Sequence, residues 1–297
     1  MIRPRRAIGA GMVLLAATSY GVLATLVKSA YGDGYSPAEV LAAQDLMGAA
    51  ALALVDFVLA RRSPDDVSLR VAARDRVALM LAGMSIGFTG AFYYLAVSAA
   101  SVSLAIVLLM QSVWMSVVVE ALLERRAPSL LQLLSAGLVI VGAALATNVG
   151  FGDLAIGPAG LVFGLLAAVS NTAMIWCSGH VAPAVHPIRR SALMMVGGAS
   201  VVLAFAAPTL VAGFNFSVIW PWGGIIALLG TILPTFLFNF GAPLAGAGLT
   251  AIVSSAELPV AIIVATVVLG ESFAPRQWSG VALIVAAIAL SNLRRGD

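Results

Sequence analysis

The chain has 297 residues, 61% of them hydrophobic and 10% charged, with a mean hydropathy of +1.06. A soluble domain carries about 25% charged residues, so this composition excludes a water-soluble protein and marks a polytopic membrane protein. The net charge of +3 and pI near 9.4 do not point to nucleic acid, because the basic residues fall in short loops between apolar stretches rather than in one patch. A single cysteine, Cys177, excludes an intrachain disulfide and a cysteine metal cluster.

Ten apolar segments are long enough to be read as spans of a hydrocarbon core about 30 Å thick. In chain order they cover 7–28, 37–59, 76–97, 100–123, 129–147, 157–178, 188–211, 220–241, 246–270 and 277–293. The first lacks a small-x-small cleavage site after a short apolar core and reads as a retained helix. Connections are short except for the polar stretch 60–75, which leaves no room for a soluble domain between spans. With an inside N-terminus, 14 of the 16 lysines and arginines fall in inside segments and only Lys28 and Arg276 outside. The positive-inside rule therefore places both termini in the cytoplasm.

The sequence then repeats. Residues 14–20 read LLAATSY and 165–171 read LLAAVSN; Ser36-Pro37 is answered by His186-Pro187. Ala105-Ile106-Val107 recurs as Ala251-Ile252-Val253, and Glu124 followed by Pro128 recurs as Glu271 followed by Pro275. The offsets of these four matches are 151, 150, 146 and 147 residues. Two halves, 1–150 and 151–297, each with five spans, are the expectation. An odd number of crossings makes the second half enter from the opposite side, so the repeats are inverted and a substrate site is expected near the midplane between them.

Ten spans, two five-helix repeats, a glutamate closing the fourth helix of each half and a proline in the ninth resemble the drug/metabolite transporter superfamily, specifically EamA-type exporters. Length and layout are similar to the YddG-like branch, which implies export of aromatic and related amino acids. Two positions depart from the pattern. Asp45 stands where such families often carry an arginine in the second span, and Pro259 has no counterpart in the fourth span, where Ser112 and Val113 stand. The expectation is that only the ninth helix is kinked.

Candidate site residues follow from polarity inside the spans. Glu257 is a carboxylate near the middle of an apolar stretch, where it needs a partner, a proton or water. On a helix it shares a narrow polar face with Thr250 and Ser254. Superposing the halves pairs Tyr20 with Asn171, Tyr93 with Asn239, and Gln111 with Glu257, polar on both sides each time. Trp114, one turn after Gln111, and Phe88 are expected to supply aromatic walls. Glu257 is expected to bind a substrate ammonium or to couple a proton, and Asp45 meets the same test. Pro234 and Pro259 are expected as gate or hinge residues. Asp56 and Glu120 are expected to pair with Arg61, Arg62, Arg125 or Arg126 near the membrane surface.

What the sequence lacks also narrows the reading. No lysine or arginine is expected near the midplane, Lys28 being the nearest, so there is no phosphate clamp. There is no P-loop to use ATP, His180 and His186 are spaced six apart, which is unsuited to a metal site, and no nucleophile–base pair suggests an enzyme. The expectation is an all-α inner-membrane transporter, with no cofactor and no metal, that exports aromatic or other large neutral amino acids or similar small metabolites by alternating access. The alternative is a multidrug or organic-cation exporter of the same superfamily.

Overall fold

Several helix starts are written locally. Pro37, Pro158, Pro187 and Pro275 each occupy the first position of a helix, where a missing N–H costs nothing and a fixed φ favours the turn. Ser36 and Ser129 add capping boxes: each hydroxyl accepts an N–H from three residues on, and the side chain of Glu39 or Gln132 accepts the serine N–H in return.

The computed structural model describes residues 2–63, 71–99, 102–148 and 157–293. The helices are α1 (Ile2–Gly32), α2 (Pro37–Arg62), α3 (Ala73–Ala99), a two-part α4 (Val102–Leu109 and Ser112–Leu123), α5 (Leu130–Ala146), α6 (Pro158–His180), α7 (Pro187–Gly213), α8 (Trp222–Ala245), a two-part α9 (Ala247–Ser254 and Glu257–Leu269) and α10 (Pro275–Leu293). These helices fall at the ten positions read from the sequence. Among the described residues, eight are long and apolar enough to cross a membrane, and α5 is a shorter apolar helix. The expected junction at residues 150 and 151, and Arg70, Arg294 and Arg295, lie outside the described residues.

The two halves are interleaved. Helix α1 packs on α8 and α9, and its counterpart α6 packs on α3 and α4, so each half's first helix lies against the other half's third and fourth. Helices that are counterparts of one another also pair, α2 with α7 and α5 with α10. The closest approach is between α3 and α7: a Cβ on Gly83 would lie 1.9 Å from the Met194 carbonyl oxygen, and one on Gly197 would lie 1.9 Å from that of Met80. Small residues let backbones meet in a membrane, where there is no hydrophobic force between helices to replace such packing. With ten passes the chain begins and finishes at one end of the bundle, the terminal end.

Both fourth helices are broken, which corrects the expectation of a single kink. In α9, Pro259 has no N–H for the Ser255 carbonyl, and the chain tightens so that Ser255, Ala256 and Leu258 each donate to the carbonyl three residues back. In α4 no proline is present, yet Gln111 and Val113 also donate three residues back, to Leu108 and Met110. The Val107 carbonyl, which loses the Gln111 N–H by this shift, accepts the Gln111 side-chain amide at 3.0 Å. Competition from a side chain thus accompanies in α4 the same break that proline accompanies in α9.

Prolines elsewhere leave carbonyls that other helices satisfy. Pro234 frees the Gly230 carbonyl in a π-helical turn, Leu228–Ile232, and Gln44 of α2 donates to it at 3.4 Å while Ser19 of α1 donates to Leu229 at 2.7 Å. Pro243 frees the Asn239 carbonyl, which accepts Nη1 of Arg190 at 2.9 Å; Nη2 of the same arginine serves the Ser178 carbonyl at the end of α6. Arg190 is therefore fully buried, 1% exposed, rather than a loop charge that only reports topology. Asp56 pairs with Arg189 at 2.7 Å, and Glu120 accepts the Gly248 N–H at 3.0 Å at the start of α9, so neither takes the partner expected from the sequence.

Candidate functional site

A cavity of about 190 Å³ lies between the halves, where the irregular turns of α4, α8 and α9 converge. Its walls come from α1, α2, α3 and α4 of the first half and α6, α7, α8 and α9 of the second. Met110 and Ser112 bracket the α4 break, Gly230 and Thr231 sit in the π-helical turn of α8, and Ser254 and Glu257 bracket the α9 break. Irregular backbone at membrane depth is tolerated only inside protein or along a cavity, and here three such turns share one.

Two carboxylates face this cavity. Asp45 is 5% exposed and accepts a hydrogen bond from Thr231 Oγ1 at 3.2 Å, while Gln44 Nε2 donates to the same hydroxyl at 3.2 Å. Asp45 is thus held in a three-residue chain that ties α2 to α8. Glu257 is the first residue of the second α9 segment, at the positive end of that segment's dipole. Among the described residues no protein group donates to its carboxylate, and none of the cavity-lining residues is basic. The remaining surface is apolar: Leu41, Ile86, Leu109, Met174, Ile175, Met195 and Phe238 contribute, with Tyr20 and Thr89 as hydroxyl-bearing side chains.

The sequence-derived candidates divide into two sets. Tyr20, Asp45, Asn171, Ser254 and Glu257 line the cavity together. Of these, Asn171 also donates to Ser112 Oγ at 3.0 Å, bracing α6 against the α4 break, and Ser254 donates to the Ala251 carbonyl at 2.9 Å. Tyr93 is half-buried outside the lining.

The others do not reach the cavity. Gln111 spends both ends of its amide within α4, donating to Val107 and accepting from Trp114 Nε1 at 3.0 Å. Trp114 is 40% exposed and Phe88 38%, the latter stacked on Phe92 at 5.6 Å. Asn239 is buried one turn beyond the cavity-lining Thr235, its Nδ2 donating to the Thr235 carbonyl at 2.9 Å. Pro234 and Pro259 are buried at the α8 and α9 irregularities without lining the cavity. The residues missed were Gln44, Thr89, Ser112, Thr231 and Thr235. Their signal was present as polar residues in apolar spans, and the phase of Ser112 became readable only once the break in α4 was located. Among the described residues no group of three or more His, Cys, Asp or Glu side chains is placed to hold a metal.

Comparison with known proteins bears on the whole chain. The model of the EamA-like transporter family matches twice, over residues 7–148 and 158–293. No curated protein matches the chain. A solved structure titled only as a crystal structure of protein is similar over 100% of both chains, with a TM-score of 0.76 at 17% identity, and this likeness speaks to fold alone.

Proposed function

The chain belongs to the EamA-like transporter family, and from that premise we propose that it exports small amphiphilic solutes bearing an ammonium group by alternating access. Amino acids with large neutral side chains are the first cargo. The observation that carries this reading is Glu257, a carboxylate at a helix break that faces a largely apolar cavity and to which no group among the described residues donates a hydrogen bond. Such a group is stabilised by a cation or a proton from the cargo side. Methionine, isoleucine and phenylalanine side chains around it suit an apolar body.

A second reading, export of organic cations, has its own support. The cavity holds two carboxylates and, among its lining residues, no lysine or arginine to meet a cargo carboxylate. Counterflow in proteoliposomes separates the two. Competition by phenylalanine but not by a quaternary ammonium supports the amino acid reading, and the reverse supports the cation; failure of both to compete removes the ammonium proposal. We place the protein in the inner membrane with cytoplasmic termini, a topology supported by the distribution of lysine and arginine. Labelling of single cysteines near each terminus from either side of intact cells tests it.

A further inference from the structure

Glu124 and Glu271 close the fourth helices of the two halves, and each meets a basic side chain at the end of the other half's first helix. At the end opposite the termini, Glu271 after α9 accepts from Nζ of Lys28 in α1. At the terminal end, Glu124 after α4 faces Nε2 of His180 in α6 at 3.7 Å. Helices α1 and α6 are counterparts, as are α4 and α9, so the two contacts are one contact repeated by the inverted symmetry. Each ties the halves together across one mouth of the bundle.

The two contacts differ in one chemical respect. Lysine is a fixed cation, whereas an imidazole changes charge between pH 5 and 8. The surroundings of His180 sharpen this difference. Its Nδ1 lies 2.9 Å from the Trp176 carbonyl oxygen, which can only accept, so Nδ1 carries a hydrogen in the neutral ring. Nε2 then presents a lone pair toward the Glu124 carboxylate. Only the doubly protonated ring places an N–H and a positive charge there. Stacking on Trp176, with ring centroids 4.5 Å apart and planes 7° from parallel, holds the imidazole in that orientation.

Glu124, but not His180, lines a pocket of about 370 Å³ at the terminal end, together with Arg6, Glu120, Arg126 and Gln132 among others. Val117 lines this pocket and Val113, one turn earlier on α4, lines the central cavity. Glu124, after α4, is at ion-pair distance from His180, and Glu120, one turn earlier on α4, lies near enough to interact with it; Arg6 and Arg126 line the adjoining pocket with both carboxylates. Glu120 is occupied by the Gly248 N–H and by Gln132, so Glu124 is the carboxylate left to receive the imidazolium.

We propose that His180 and Glu124 form a proton-binding latch that closes the terminal-end mouth when His180 is protonated, while Lys28 and Glu271 form its pH-insensitive counterpart at the opposite mouth. Acidification on the terminal side then favours the conformation open to the opposite end. The inference rests on the alternating-access reading of the fold.

The test reads accessibility instead of flux. In a Cys177→Ser background, Ala121→Cys places a thiol in the terminal-end pocket, and labelling by a membrane-impermeant methanethiosulfonate is measured from pH 8 to pH 5. Rates are divided by those of the His180→Gln chain at each pH, which removes the titration of the thiol itself. Because the pair is about one third exposed, the normalised rate should fall roughly two- to fivefold on acidification. His180→Lys should be protected at both pH values, and Glu124→Gln should abolish the pH dependence with the histidine still present. Equal labelling of His180→Lys and His180→Gln, or a pH response that survives Glu124→Gln, overturns the latch. Chains that transport phenylalanine yet label without regard to pH lose the latch and keep the transporter; chains that transport neither candidate cargo but show the protection do the reverse.

Discussion

Helices α4 and α9 occupy equivalent places in the two halves, and both break where they meet the central cavity, but by different means. In α9 the break coincides with Pro259, and the residue presented at the restart is a carboxylate, Glu257. In α4 a glutamine side chain takes up the carbonyl left over by the shift, and the residue presented is a serine that is itself held by Asn171. The comparison separates two things that the repeat had joined. The break belongs to the architecture, since it appears with or without proline, whereas only the α9 break presents a carboxylate.

That asymmetry can be broken experimentally, and the largest effect is expected at the carboxylate. Glu257→Gln removes a charge from a desolvated site at a cost of about 1.5–3 kcal/mol in binding, roughly ten- to a hundredfold in cargo affinity. Ser112→Ala should change affinity less than threefold, or about 0.6 kcal/mol, the average for a hydrogen bond between membrane helices. Counterflow measured for both variants checks this, and equal losses would show that the two halves share the chemistry after all.

Asp45→Asn comes next. The amide oxygen can still accept from Thr231, whose hydroxyl still accepts from Gln44, so the α2–α8 tie survives and the loss should be several-fold, again read as a change in half-saturation. Its magnitude relative to Glu257→Gln tells which carboxylate meets the cargo.

Stability gives a smaller contrast. Gln111→Leu leaves the Val107 carbonyl without its donor and should destabilise the protein by about 1–3 kcal/mol, seen as a lower midpoint in thermal unfolding in detergent. Arg190→Met leaves two buried carbonyls unsatisfied and should destabilise by at least as much. At the bottom of the scale, Trp114→Ala and Phe88→Ala should alter cargo affinity by less than about twofold, because both rings lie on the exposed side of their helices. A larger effect from either would mean that α4 or α3 turns those rings inward during the transport cycle.

Much of the fold was legible from hydropathy and local signals. Ten apolar stretches, prolines at helix starts and two serine capping boxes are properties of short windows, and the structure builds helices where they stand. The cavity was only half legible. Tyr20, Asp45, Asn171, Ser254 and Glu257 were found because a polar group in an apolar span is conspicuous. Gln111 was assigned by its pairing with Glu257 across the repeat and Trp114 by its helical phase from Gln111, in a region where α4 does not keep its phase; Phe88 was expected as an aromatic wall but lies on the exposed side of the unbroken α3. A tightened turn at Met110 and Gln111 places Ser112 on the cavity, and nothing as visible as a proline announces it.

The sequence by itself determined the membrane class, the repeat and the anomaly at Glu257, since hydropathy and charge act through the solvent and need no neighbours to be read. Only the tertiary structure decided which polar groups serve the backbone and which face the cavity. Arg190 looks like any other loop arginine until the carbonyls freed by Pro243 and by the end of α6 are brought against it. In a bilayer every such carbonyl must find a donor, and which donor it finds depends on helices far apart in the chain.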